Sequence, residues 1–98
     1  MVTAIVLIKT EVQRIPEIAA EIAQMPQVSE VYSVTGEFDL VAIVRVRAHD
    51  ELADVVTGSI AKVPGIVRTE TLVASSRRFV KTRSESKKSA AIPAAHRT

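Results

Sequence analysis

The sequence predicts an α+β sandwich of the ferredoxin-like class, a four-stranded antiparallel sheet with two helices on one face. Three observations predict it: alternating β-branched runs and helical patterns, a hairpin signal in mid-chain, and an internal repeat. A shift of 38 residues superposes Ile5 on Ile43 and Pro26 on Pro64. Two strand–helix–strand units are therefore expected, with the first and third strands at the centre and the second and fourth at the edges.

The first unit begins with residues 2–8, a β-branched run too short for a helix, which we expect to be a strand buried on both faces. Pro16 suits the first turn of the helix that follows, and Pro26 ends it. The apolar stripe of this helix is predicted to contain Ile15, Ile18, Ala19, Ile22 and Ala23. Residues 28–35 are predicted to form the second strand.

The second unit begins with a third strand over residues 38–47, separated from the second strand by Gly36 and Glu37 alone. This spacing predicts a tight antiparallel hairpin. A second helix is expected to start at Asp50, a favourable N-cap residue, and to bury Leu52, Val55, Val56, Ile60 and Val63. Pro64 and Gly65 end it, and residues 66–75 are predicted to form the fourth strand.

The predicted sheet has one face without helices, although nearly every strand position is apolar or β-branched. An uncovered apolar face indicates association with a second subunit, and a chain of 98 residues is small enough to gain stability from it. We therefore expect a homodimer that associates in the manner of dimeric α/β barrels.

Charge divides the chain into two parts. Residues 1–76 contain six Lys/Arg and ten Asp/Glu, giving −4, whereas residues 77–98 contain seven Lys/Arg and one Glu, giving +6. We expect one folded domain over residues 1–76 and a basic, partly flexible extension over residues 77–98. This extension is either a solubilising tail or a non-specific contact for nucleic acid phosphates.

The sequence lacks most of the residues that catalysis and metal binding require. The chain has no cysteine and two histidines, His49 before the second helix and His96 near the end, and its three glycines form no phosphate-binding loop. We therefore predict no metal, no cofactor and no enzymatic activity. Short apolar runs and the lack of cysteine predict a cytoplasmic protein with no membrane partner.

The hairpin and the fourth strand contain the residues that suit a small ligand. Thr69 and Thr71 alternate along the strand, so both hydroxyls face one side. The Asp39 carboxylate suits an ammonium group, and backbone N–H groups around Gly36 suit a carboxylate. Together these groups fit an α-amino acid, although turn chemistry and strand propensity explain the same residues without a ligand.

Four motifs, in the order in which they occur along the chain, resemble those of the effector domain of leucine-responsive (Lrp/AsnC) transcription regulators. Residues 36–40 (GEFDL) resemble its Gly-x-aromatic-Asp-apolar hairpin, and residues 67–71 (VRTET) its Val-x-Thr-x-Thr strand. Residues 25–28 (MPQV) and 63–66 (VPGI) resemble its two helix-to-strand joints. The resemblance covers about residues 2–76.

This resemblance implies a stand-alone RAM (effector-binding) domain that dimerises through its sheet, assembles further and binds amino acids between dimers. By position in these motifs, the resemblance implies that the ligand-binding residues are Gly36, Glu37, Phe38, Asp39, Thr69 and Thr71. Phe38 stands where the family often has tyrosine, so a hydroxyl contact is not expected there. Met1 lies directly before the first strand, so we expect no helix-turn-helix and no direct specific DNA binding, but mixed assembly with full-length regulators.

Two further functions fit the residues. A structural protein–protein interaction module would use the apolar sheet face without a ligand. A small enzyme of the dimeric-barrel type would need a reactive side chain in the sheet pocket, for which Tyr32 is the candidate.

Overall fold

The computed structural model of the chain describes residues 1–75 and 77–82. Its elements are β1 (Val2–Thr10), α1 (Ile15–Ala23), β2 (Val28–Ser33), β3 (Leu40–Val46), α2 (His49–Gly58) and β4 (Ile66–Val73). One short 3-10 turn precedes α1 and another follows α2. The sheet is antiparallel with strand order β2-β3-β1-β4, which confirms the ferredoxin-like prediction and the central position of β1 and β3.

The internal repeat coincides with the symmetry of the central strand pair. Ile5 on β1 lies directly opposite Ile43 on β3, and these are the residues that the 38-residue shift superposes. In an antiparallel pair formed by two similar units, a residue faces its own equivalent at the local two-fold axis. The axis relating the two strand–helix–strand units therefore passes between Ile5 and Ile43.

Both helices cover the same face of the sheet and build an aliphatic core. α1 packs over β2 and β3, and α2 packs over β3 and β1. The largest fully buried side chains are Ile8, Ile18, Ile22, Leu40, Ile60, Val6 and Val44. Each such side chain contributes on the order of 2 kcal/mol through removal of apolar surface from water. All five residues predicted for the apolar face of the second helix are buried, although Ile60 and Val63 lie beyond the end of α2 at Gly58. Ala23 of α1 is exposed.

The other face of the sheet is uncovered in this chain. Burial alternates along β1: Ala4, Val6 and Ile8 are fully buried, whereas Ile5 and Leu7 are half-buried. The prediction that β1 is buried on both faces is therefore wrong for the single chain, because the helices lie on one side only. The register defines an open face that contains Ile5, Leu7, Tyr32, Val41, Ile43 and Leu72.

The β2–β3 hairpin is confirmed, but its predicted two-residue turn is wrong. The strands are joined by residues 34–39, here called the hairpin connection. Within it the Val34 N–H donates to the Asp39 carbonyl oxygen at 3.0 Å, so four residues remain in the loop itself. Gly36 has φ +121°, which favours glycine, and this explains its position.

The start of α2 also differs from the prediction. The helix begins at His49 with Ala48 at the N-cap, so Asp50 lies inside the first turn. Alanine has no side-chain acceptor, and the Glu51 carboxylate instead accepts the N–H groups of Arg47 (2.7 Å) and Ala48 (3.2 Å). Reaching back from the third helical position, Glu51 satisfies donors that precede the helix.

β4 ends two residues earlier than predicted, at Val73, and residues 77–82 form neither helix nor strand. The rest of the extension predicted over residues 77–98 lies outside the described residues, as does His96. Within the described part of the chain, no helix is long and apolar enough to span a membrane.

Candidate functional site

The hairpin connection is attached to the end of β1. The Asp39 N–H donates to the Ile8 carbonyl oxygen at 2.9 Å, continuing the β1–β3 ladder one residue beyond β3. The strand pair thus holds Asp39 in place, while Gly36 and Glu37 lie exposed at the tip of the loop. The connection therefore places one fixed carboxylate behind a more exposed loop.

Among the described residues, the partners of the Asp39 carboxylate all contact the same oxygen. Oδ2 accepts the Thr10 N–H at 2.9 Å, lies 3.4 Å from the Thr10 hydroxyl, and lies 3.7 Å from the Lys9 ammonium. Thr10 is 3% exposed and the Asp39 side chain 16% exposed. Within residues 1–75 and 77–82, Oδ1 has no comparable partner. Asp39 is therefore a structural clamp on the end of β1 that retains one oxygen for a further donor.

Arg68 lies on the edge strand β4 and contacts the tip of the hairpin connection across the end of β1. Its Nη2 lies 2.7 Å from Glu37 Oε2, and its guanidinium carbon lies 4.7 Å from the centre of the Phe38 ring. Both ion-pair side chains are substantially exposed, so the pair contributes at most about 1 kcal/mol to stability. The cation–π contact gives Phe38 a role that needs no hydroxyl.

Thr69 and Thr71 lie on the other side of the sheet from the open face. The register pairs them with Ile8 and Val6, whose side chains face the helices. Both threonines are half-buried, and among the described residues neither hydroxyl makes a hydrogen bond. β1 lies between β4 and Asp39, a separation of two strand spacings or about 10 Å. A single chain therefore does not bring the threonines together with Asp39.

Three residues that the sequence does not single out contact the hairpin connection: Lys9, Thr10 and Arg68. In the sequence, Lys9 and Thr10 follow the apolar part of the first strand, and Arg68 occupies a variable position of the Val-x-Thr-x-Thr motif. Their proximity to the hairpin connection comes from the register of β1 against β3 and β4, which no local pattern shows. The resulting cluster contains two cationic groups and the carboxylates of Glu37 and Asp39, an arrangement that can bind both ends of a zwitterion.

The other chemical candidates remain weak. Tyr32 lies on the open face, and a hydrogen bond from its phenol to the nearby Glu30 carboxylate raises the pKa of Tyr32 above its ordinary value. A tyrosine base would need a lowered pKa, so this environment opposes such a role. His49 is exposed at the start of α2. No three His, Cys, Asp or Glu side chains in the described ranges are grouped so that they could hold a metal ion.

The fold and these motifs agree with one family model. The model of the Lrp/AsnC ligand binding domain matches residues 3–84, most of the chain. The chain belongs to the Lrp/AsnC family. The chain thus contains the ligand-binding domain of a family whose curated members are named as transcriptional regulators.

The curated relatives that this Lrp/AsnC domain matches are longer regulators. The HTH-type transcriptional regulator FL11 of Pyrococcus horikoshii is 31% identical over 70 residues, which cover 71% of this chain and 46% of that protein. The chain spans about half the length of the curated relatives it matches.

Two solved structures define the likeness in three dimensions. TTHA0845 from Thermus thermophilus is 49% identical with a TM-score of 0.77, and the match covers 83% of this chain and 100% of that chain. The feast or famine regulatory protein of M. tuberculosis complexed with L-methionine is 25% identical with a TM-score of 0.70. That match covers 85% of this Lrp/AsnC domain and 55% of the other chain.

Proposed function

We propose that this Lrp/AsnC domain is a non-enzymatic sensor that binds an α-amino acid, or a small effector of similar chemistry, and couples binding to the association of its subunits. The observation that carries the proposal is the charge arrangement at the hairpin connection. Asp39 retains one carboxylate oxygen for an ammonium group. The Arg68 guanidinium has five N–H donors on three nitrogens, and its Nη2 nitrogen contacts Glu37. A carboxylate and a guanidinium beside one β-strand suit the two ends of an amino acid.

Two observations support an amino acid over other small molecules. The M. tuberculosis relative was solved as a complex with L-methionine. In addition, Lys9 pairs across the sheet with Arg68 and contacts Asp39, so the cationic and anionic groups are adjacent rather than dispersed. A ligand with one charge would leave half of this cluster unused.

Association would complete the site. Gly36, Glu37, Phe38 and Asp39 lie at one edge of the hairpin, whereas Thr69 and Thr71 lie on the helix side of β4. Subunit association that brings the threonine side of one chain against the hairpin connection of another would supply hydroxyls and charges to one ligand. The ligand would then stabilise the assembly through its higher affinity for the associated state.

A thermal-shift screen of the common amino acids tests the sensor proposal. A ligand at one hundred times its Kd contributes about 2.7 kcal/mol. For a domain of this size the melting temperature should rise by roughly ten degrees or more. Absence of any shift across the amino acids would contradict the proposal in its amino-acid form.

Variants locate the site once a shift is found. Asp39→Asn keeps an oxygen for the Thr10 N–H but removes the charge for the ammonium group, so the ligand-dependent shift should fall while the ligand-free fold persists. Thr71→Val removes one hydroxyl at nearly constant volume and should also reduce the shift. Asp54→Asn, on the exposed surface of α2, is the control. A shift that survives both site substitutions would show that the ligand binds elsewhere.

The open face supports a second candidate, an interaction module that associates without any effector. Ile5, Leu7, Val41 and Ile43 form a continuous half-buried apolar surface, and Tyr32 and Leu72 extend it. Light scattering distinguishes the two functions: a stable oligomer whose size and melting temperature ignore every amino acid favours the module. A monomer at all concentrations would oppose both.

A further inference from the structure

One ion pair occupies the cation that the carboxylate of the proposed effector would contact. Arg68 Nη2 donates to Glu37 Oε2 at 2.7 Å, so the guanidinium already holds a carboxylate of its own chain. The two residues are 31 positions apart in sequence, and they meet because β4 lies beside β1. An effector carboxylate that approaches Arg68 therefore meets a group of the same chemistry and the same charge.

The charges of this cluster are balanced within the chain itself. Lys9 on β1 lies directly opposite Arg68 on β4, and like charges in that position repel each other. Asp39 lies 3.7 Å from Lys9, and Glu37 pairs with Arg68, so the hairpin connection supplies one carboxylate to each cation. Loss of the Glu37 charge alone would leave Arg68 uncompensated beside Lys9. The cluster would then attract an anion more strongly than it does when balanced.

The two partners of this ion pair are restrained to different degrees. The Glu37 side chain is 74% exposed, and it follows Gly36, where an added Cβ would meet nothing within 4 Å. The Arg68 guanidinium carbon lies 4.7 Å from the centre of the Phe38 ring, a cation–π contact that uses the face of the guanidinium rather than its N–H groups. Glu37 can thus leave Arg68 without unpacking its surroundings, while Phe38 keeps the guanidinium in place.

We propose that the Glu37–Arg68 ion pair is an autoinhibitory latch. The Glu37 carboxylate competes with the carboxylate of an α-amino acid for Arg68, and it thereby sets the effector concentration to which the domain responds. This inference rests on the sensor function proposed above. Binding exchanges one carboxylate for another at the same guanidinium, so Arg68 adds less to the affinity than an unoccupied arginine would.

The exposure of the ion pair limits the size of this effect. An exposed pair favours the closed contact over the open one by about fivefold at most. The apparent affinity falls by the fraction of molecules in which Arg68 is open, which raises the Kd by about two- to sixfold. The latch therefore adjusts the response of the sensor without preventing it.

A substitution that removes only the charge of Glu37 tests the latch in the full chain. The thermal-shift screen of the common amino acids is run on wild type and on Glu37→Gln, and the amino acid with the largest shift is titrated by calorimetry. Its Kd should be about two- to sixfold lower for Glu37→Gln than for wild type. Glu11→Gln is the matched control, because Glu11 is exposed beside the end of β1 and its carboxylate has no ion pair among the described residues. This control should retain the wild-type Kd.

A double-mutant cycle shows whether the effect passes through Arg68. Glu37→Gln should lower the Kd in the wild-type background and leave it unchanged in the Arg68→Gln background, where the shared cation is gone. An equal gain in both backgrounds, or an equal gain from Glu11→Gln, would overturn the latch, because a general change of charge would then explain the result.

The remaining outcomes separate the latch from the sensor function. If wild type binds an amino acid and the Kd of Glu37→Gln is unchanged or higher, the latch is overturned and the sensor function stands. If no amino acid shifts the melting temperature of either wild type or Glu37→Gln, both proposals are overturned. A shift that appears only with Glu37→Gln would support both, since the latch then holds the affinity of wild type below detection.

Discussion

Asp39 combines a structural contact and a proposed ligand contact in one carboxylate. Oδ2 accepts the N–H of Thr10, which is 3% exposed, while Oδ1 is the oxygen assigned to an ammonium group. Oδ2 thus stabilises the fold, and Oδ1 is the oxygen proposed to contact the ligand. Removing the side chain and neutralising it should consequently have different effects.

The first prediction concerns this difference. Asp39→Ala should lower the free energy of unfolding by about 1–3 kcal/mol, because a buried N–H loses its acceptor. Asp39→Asn should cost less, since the amide oxygen can still accept that N–H. Urea denaturation measures both, with Asp54→Ala as a surface control expected within about 0.5 kcal/mol of wild type. Equal stabilities for Asp39→Ala and the control would contradict the clamp.

The second prediction uses two glycines in open space. An added Cβ would meet nothing within 4 Å at either Gly36 or Gly58, so packing cannot distinguish them. Gly36 has φ +121°, whereas Gly58 is the last residue of α2. Gly58→Ala should stabilise the protein by about 0.4–1 kcal/mol, and Gly36→Ala should destabilise it by more than that. Thermal melts of the two variants should move in opposite directions.

At the scale of elements, β1 and β3 contribute both faces of the sheet. Their even-numbered residues pack against α1 and α2, and Ile5, Leu7, Val41 and Ile43 form the centre of the open face. The pair can therefore be changed on one face without entering the helix-side core. This independence makes association testable apart from folding.

The third prediction follows from that independence. Ile43→Glu places a charge at the centre of the open face and should convert the oligomer to a monomer in light scattering, while far-UV circular dichroism stays unchanged. Leu72→Glu, on β4 at a position 47% exposed, should act in the same direction with less effect on the folded chain. Ala20→Glu on the exposed side of α1 is the control and should leave the oligomer intact. If both open-face variants retain the wild-type mass, the open face is not the interface.

At the scale of the whole molecule, folding and association are expected to be linked. A 98-residue chain with an aliphatic core has little stability to spare, and covering the open face would add apolar burial. Stability that depends on association varies with protein concentration. The molecule should therefore behave as an assembly rather than as an isolated domain.

The fourth prediction is that the melting temperature rises with protein concentration. Wild type should melt higher as the concentration increases, whereas Ile43→Glu should melt at one temperature throughout. Differential scanning fluorimetry with an added dye over a wide concentration range measures both, since the chain has no tryptophan. If the melting temperature of the wild type does not depend on concentration and light scattering shows a monomer, folding and association are not linked.

Much of the fold was predictable because its signals are local. The spacing of Ile18 and Ile22 predicts α1. The 38-residue repeat predicts two equivalent units, and the pairing of Ile5 with Ile43 agrees with a two-fold axis between these units. Boundaries were less predictable: the turn around Gly36 is longer than expected because Val34 and Asp39 close it with their own hydrogen bond. At the start of α2, the reach of Glu51 places the N-cap at Ala48 rather than Asp50.

The sequence by itself determined the family, the order of the elements and four neighbouring candidate residues, Gly36 to Asp39, because these depend on periodicity and on motifs within a few positions. The tertiary structure alone decided that Lys9, Thr10 and Arg68 meet this segment, and that Thr69 and Thr71 face the helices. The physical reason is sheet topology. Pairing of β1 with both β3 and β4 brings residues about thirty positions apart into contact, and strand register then fixes the face on which each side chain lies.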